Sequence, residues 1–136
     1  MSEPVFTGGC NCGGVRFEIT EPLGRANYCH CTRCQRRTGT AASAQARVEP
    51  GSLRIVQGEE LVRSWKPPDG WAKAFCSGCG SALWSQNEEG EVGGVRLGAI
   101  DGDPGVRPES RQFVAYAAVW EPLPDDGLER FPESRP

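Results

Sequence analysis

"FCSGCGSALW", residues 75–84, is the stretch whose reading decides the fold. Cys76 and Cys79 stand with two residues between them and Gly80 behind them. That is the pattern of a zinc knuckle, a tight turn whose backbone lets two sulfurs converge on one ion, with glycine where φ > 0 or close approach is needed. A knuckle supplies half a tetrahedron, so two further thiolates must arrive at about 2.3 Å from the ion. "GGCNCGG", residues 8–14, offers Cys10 and Cys12. Two residues apart on an extended chain, their side chains lie on one side, and the flanking glycines allow a bend. A redox dithiol is the rival reading of Cys76 and Cys79, but no βαβ pattern surrounds them. The sequence therefore predicts a structural zinc on Cys10, Cys12, Cys76 and Cys79, closing a long loop between the two half-sites.

Three cysteines remain, and all lie in "YCHCTRCQRRTG", residues 28–39. Cys29 and Cys31 face one way if the chain is extended there, and His30 faces the other. His30 then reads as a packing or supporting residue. Thr32-Arg33-Cys34-Gln35 fits a capping box with Thr32 as N-cap, Gly39 as the stop, and Arg36 and Arg37 in the last turn. This predicts a short helix over 32–38 with Cys34 near its start, where a thiolate is favoured. Three thiolates leave a tetrahedral place open, which is how catalytic zinc is held. Cys29, Cys31 and Cys34 are thus the candidate catalytic zinc ligands. Such a site should hold its metal less tightly than a four-cysteine one, and can be found empty or oxidised. A different partition pairs Cys31 and Cys34 with Cys76 and Cys79 as a zinc ribbon. It leaves Cys10, Cys12 and Cys29 without a role, so four plus three is preferred.

Totals narrow the class. The chain has 136 residues with 18 Gly, 11 Pro and 7 Cys, which suits one domain, 1–136, rich in turns. Its formal net charge of −3 argues against a nucleic-acid-binding ribbon, which wants a basic face. It gives no case for a membrane surface either, and no apolar run approaches the roughly 20 residues of a membrane span. With no charged-then-apolar leader the expected location is cytoplasmic, where clustered cysteines bind metal rather than pair as disulfides.

The periodic segments are short and β-like. "VRFEI" (15–19) alternates as a half-buried strand, and "AASAQARV" (41–48) alternates weakly. Pro50-Gly51 predicts a type II turn. "LRIV" (53–56) and "LVRSW" (61–65) flank "QGEE", which predicts a hairpin. "WAKAF" (71–75), "ALW" (82–84), "VGGVRLGAI" (92–100) and "FVAYAAVW" (113–120) complete the expected strands, the last on its aromatic and β-branched content. The Pro- and acid-rich tail, 121–136, is expected to lie over the surface or fray.

"GGCNCGGVRFEI", "YCHCTRCQRRTG", "FCSGCGSALW" and "LGAIDGD" occur in the order and spacing of the glutathione-dependent formaldehyde-activating enzyme family, which the chain resembles over about residues 6–120. The resemblance implies a mainly β, tent-like, Mss4-like fold with one short helix after the CHCxxC motif. It implies the same structural and catalytic zinc sites. It also implies joining of glutathione and formaldehyde into S-hydroxymethylglutathione, a carbon–sulfur lyase chemistry. The expected partner is a small thiol, glutathione first, with Arg33 and Arg36 holding its carboxylates by forked hydrogen bonds. Asp101 could orient a proton but reads better as a turn cap. The family often carries a His just before the "FV" stretch, and this chain has Arg111-Gln112-Phe113-Val114 instead. Two other classes share the fold. A zinc-stabilised binding module would need no open metal position. A methionine sulfoxide reductase would need a nucleophilic cysteine outside the zinc set, and all seven are used.

Overall fold

Val15, Phe17 and Ile19 have no exposed surface, as their alternation with Arg16 and Glu18 requires. They anchor a core that two sheets enclose. The computed structural model describes residues 3–136. Among these residues the strands are β1 (Phe6–Gly9), β2 (Arg16–Ile19), β3 (Ala26–Cys29), β4 (Ser43–Arg47), β5 (Leu53–Gln57), β6 (Val62–Trp65), β7 (Ala72–Cys76), β8 (Ala82–Gln86), β9 (Val92–Arg96), β10 (Pro108–Gln112) and β11 (Glu129–Arg130). One α-helix, α1 (Thr32–Thr38), stands among them. Strands β1, β2 and β5 form a small sheet, and the others form a large one in the order β11-β10-β3-β4-β9-β8-β7-β6. The fold is mainly β with one short helix after the CHCxxC motif, the Mss4-like arrangement.

The large sheet has two chemically different faces. Ala74, Trp84, Val95, Ala46 and Ala26 are successive cross-strand partners, so they share one face, and all are buried. Phe17 from the small sheet meets that face with its ring edge-on to Trp84, centroids 5.7 Å apart at 87°, a favoured aromatic geometry. Because alternate residues point to opposite faces, the flanking residues Lys73, Ser85 and Gly94, and beside them Arg96, Gln45 and Asn27, lie on the other face. That face is polar and becomes the floor of a cavity.

Several elements depart from the sequence expectation. Strands β5 and β6 do not form a hairpin: β5 pairs with β2 and β6 with β7. The intervening residues carry the chain from one sheet to the other. Gly58 sits at φ 79, followed by a 3-10 turn over Glu59–Leu61, and a Cβ on Gly58 would collide with the Gly14 carbonyl. Alternation sets the face of a strand but not its partner. The segment 92–100 is a strand only to Arg96, with a 3-10 turn over Leu97–Ala99. Residues 113–120 hold a 3-10 turn over Val114–Tyr116 rather than a strand, and the strand lies just before it, at Pro108–Gln112. The tail does not fray. Its β11 pairs in parallel with β10, and the Phe113 and Val114 amides donate to the Glu133 and Phe131 carbonyls at 2.9 and 3.0 Å. The turn at Pro50-Gly51 forms with Gly51 at φ 80.

Candidate metal centres and cavity

Cys10 and Cys12 lie in a turn rather than on an extended chain. The Gly13 amide donates to the Cys10 carbonyl at 3.1 Å, and this tight turn is what aims both sulfurs together. The sulfurs of Cys10, Cys12, Cys76 and Cys79 all lie within 4.8 Å of one another. Cys10 and Cys12 are 3.5 Å apart and Cys12 and Cys76 3.9 Å apart. A tetrahedral zinc with bonds of about 2.3 Å wants sulfur separations near about 3.8 Å, so this donor set fits one ion. Backbone amides already face the sulfurs: Val15 N–H donates to Cys10 Sγ at 3.2 Å and Gly78 N–H to Cys76 Sγ at 3.3 Å. Such bonds favour thiolates. Hydrogen bonds from the Ser81 hydroxyl and amide pull the Cys79 thiol down to about 5.

The second cluster is Cys29, Cys31 and Cys34, again with all sulfurs within 4.8 Å. Cys29 ends β3, and Cys34 sits in the first turn of α1. The helix is capped by Cys31, whose sulfur accepts the Cys34 amide at 3.3 Å. Thr32 is therefore not the N-cap, and the expected capping box does not form. Gln35 reaches elsewhere, donating to the His30 carbonyl at 2.7 Å and the Tyr116 carbonyl at 2.9 Å. Gly39 ends the helix at φ 69, with its amide on the Gln35 carbonyl, a conformation that favours glycine. Within the trio the Cys34 thiol is held far below the ordinary range, first by hydrogen bonds from Cys29 and Cys31, with Ser43 and the charge of Arg96 adding to them. Cys29 is pushed upward by its hydrogen bonds with Cys31 and Cys34 and by burial.

Among the described residues no fourth His, Cys, Asp or Glu donor joins the trio. His30 is 3% exposed and turns away from it: Arg111 donates from Nη1 to His30 Nε2 at 3.1 Å. Burial and the Arg111 charge lower its pKa, so the ring stays neutral. Asp101 is also elsewhere. It accepts from Thr7 Oγ1 at 2.6 Å and pairs with Arg16, and it takes no part in the cavity beside the trio.

That cavity has a volume of about 640 Å³, with the three cysteines on its wall. Its floor is the polar face of the large sheet, and α1 flanks it. Arg33 lines it and is paired with Asp69. Arg36 points outward from the helix, exposed and off the cavity wall. Lys73 and Arg96 line the floor, residues the sequence did not single out. Both lie in strand segments that were legible, but which charged side chains of a strand face a cavity depends on cross-strand register, which no local signal fixes. Gln112, Phe113 and Tyr116 close the rim. Phe113 adopts φ 58, the one non-glycine with positive φ among the described residues, a conformation uncommon for a bulky side chain.

The family model described as "Glutathione-dependent formaldehyde-activating enzyme" matches residues 5–116. A crystal structure of a Rhodobacter sphaeroides protein is similar to this chain at 28% identity and a TM-score of 0.56, covering 92% of this chain and 98% of that one. No match to the chain was found among curated proteins.

Proposed function

The chain belongs to the glutathione-dependent formaldehyde-activating enzyme family, and on that premise we propose that it is a zinc enzyme of the carbon–sulfur lyase type. Its substrate in this reading is the adduct of a small thiol, glutathione first, with an aldehyde such as formaldehyde. The observation that carries the reading is a three-sulfur cluster on the wall of a cavity, with no fourth protein donor among the described residues. Cys10, Cys12, Cys76 and Cys79 then hold a closed structural zinc, and the whole chain works as one domain around it.

The chemistry assigned to the second zinc is that of an ion which takes an incoming thiol as thiolate at neutral pH. The protein's own residues do the rest. Cys29, Cys31 and Cys34 converge from β3 and α1 so that the open side of the trio faces the cavity. In the forward direction the thiolate sulfur attacks the carbonyl carbon, a C–S bond forms, and the C=O π electrons move to oxygen, which takes a proton. Reversal releases thiol and aldehyde. Gln112, Phe113 and Tyr116 at the rim limit the room beside the sulfur, which favours a small aldehyde. Arg33, on the wall, is placed to meet a carboxylate of the thiol if Asp69 exchanges partners. Arg36 would act only on a ligand reaching past the rim.

Cobalt substitution tests this reading. Glutathione is expected to change the cobalt–thiolate absorption of the two-metal wild-type protein and leave that of Cys31→Ser unchanged. An unaltered spectrum in wild-type protein carrying two cobalt ions would overturn it and favour a binding module with two structural metals.

A further inference from the structure

The chain is acidic overall, with a net charge of −3, yet cations gather around the three-cysteine cavity. Lys73 and Arg96 stand on its floor. Arg96 donates to Gln45 Oε1 at 2.7 Å, and among the described residues no carboxylate pairs with it. Lys73 is half-buried, and among the described residues its ammonium makes no hydrogen bond or ion pair. Arg37, at the end of α1, has a buried Nε without a partner. The one carboxylate on the wall, Asp69, is taken by Arg33. Burial and the neighbouring charge of Arg96 depress the Lys73 ammonium, with Arg33 and Arg37 adding to the effect. Among the described residues the sulfur of Cys34 is the one anionic group that acts on both half-buried cations, and no carboxylate neutralises either, so this floor is suited to an anion that arrives from outside.

Register shows where that anion would sit. Lys73 is opposite Ser85, Ser85 opposite Gly94, and Arg96 opposite Gln45. Gly94 and Arg96 are two residues apart on β9 and so share a face. Lys73 and Arg96 thus rise from the same face, two strands apart and offset by two residues, or about 12 Å between backbones at ordinary strand geometry. Between them Gly94 contributes no side chain, and this gap keeps the floor open. Both cations line the same cavity as Cys29, Cys31 and Cys34, so an anion held by them shares that cavity with the sulfur cluster.

We propose that Lys73 and Arg96 form an anion anchor that restricts the site to thiols bearing carboxylates and excludes neutral or cationic ones. The proposal rests on the reading of the trio as the place where the substrate's sulfur binds, and it adds the residues that select the rest of the molecule. They are specificity residues rather than catalytic ones.

Calorimetric titration of the two-metal protein with S-methylglutathione tests the anchor alone, because this ligand keeps both carboxylates and has no thiol. Wild type is expected to bind it, and to bind its dimethyl ester at least about tenfold more weakly, the scale of one charge-assisted hydrogen bond. Lys73→Gln should lose a similar factor for the acid and none for the ester, while Lys73→Arg should keep most of the affinity. Equal binding of acid and ester by wild type would overturn the proposal, and that comparison needs no variant to fold. Undiminished acid binding by folded Lys73→Gln would overturn it too. A parallel titration of the cobalt protein with glutathione separates the two readings. If glutathione leaves the cobalt–thiolate spectrum unchanged while the anchor results hold, the thiol site fails and the anion site stands; a change with the neutral 2-mercaptoethanol equal to that with glutathione at the same concentration would overturn the selection.

Discussion

Gln35 shows how one side chain can be read correctly for position and wrongly for partner. Its place three residues after Thr32 suggested a reciprocal cap. Cys31 takes that role through its sulfur, because a sulfur turned toward the other two cysteines is also within reach of the Cys34 amide. Gln35, released from capping, fastens α1 to the His30 and Tyr116 carbonyls. It so ties the helix that carries Cys34 to the rim of the cavity. Two substitutions separate these roles by chemical denaturation. Thr32→Ala, at an exposed position with no cap bond, should change stability by less than about 0.5 kcal/mol. Gln35→Ala, which leaves two carbonyls short of a donor, should cost about 1–2 kcal/mol. The reverse order would restore the capping box. The cysteines themselves were legible residue by residue. Their partition into four and three follows from spacing and count, and both groups assemble as read. Lys73 and Arg96 were not legible, since nothing local distinguishes a strand cation that faces a cavity from one that faces water.

At the scale of elements, the C-terminal segment is the part that composition misjudged. Pro and acidic residues suggested a loose tail, but parallel pairing is a backbone property and asks for no apolar alternation. "PESRQ" and "ER" carry none, so β10 and β11 left no pattern in the sequence. Arg111 explains why they hold. It lies over the Tyr28 ring at 4.4 Å, donates to His30, and pairs with Asp126 at 2.7 Å. The Arg111 guanidinium holds the Asp126 carboxyl below its usual value, helped by the Leu128 amide. A depressed carboxyl stabilises the folded tail above the unfolded value of about 3.9, and that support is lost as pH falls through the folded value. The Phe131 amide, bonded to the Arg111 carbonyl at 2.8 Å, reports on this. Its NMR shift should stay constant from neutral pH down to about 4 and titrate only below. A midpoint above that, or none at all down to acid unfolding, would show that Asp126 does not secure the tail. By contrast β2 and β7 were read from the sequence within a residue or two, because each buries alternate residues on one face.

For the whole molecule, the proposed function has the two sulfur clusters divide the labour. The first joins the turn after β1 to the knuckle between β7 and β8, and so clamps the small sheet to the large one over the Phe17–Trp84 core. Closing so long a loop with metal couples binding to folding. The second cluster joins the end of β3 to α1 and opens on the cavity, so its loss should leave the fold standing. The sequence carried the mainly β class and both clusters, because cysteine spacing is local. It did not carry the pairing of β5 with β2, the cavity floor, or the anion anchor, since those arise only when distant strands are set in register. The measurement that tests the central claim most directly is zinc bound per chain after zinc saturation, compared across three proteins. Wild type should hold two, one of which a chelator removes first with the fold intact. Cys31→Ser should stay folded and hold one. Cys79→Ser should be largely unfolded. A single zinc in saturated wild type, or a folded Cys79→Ser protein with unchanged melting, would contradict the division into one closed structural site and one open working site.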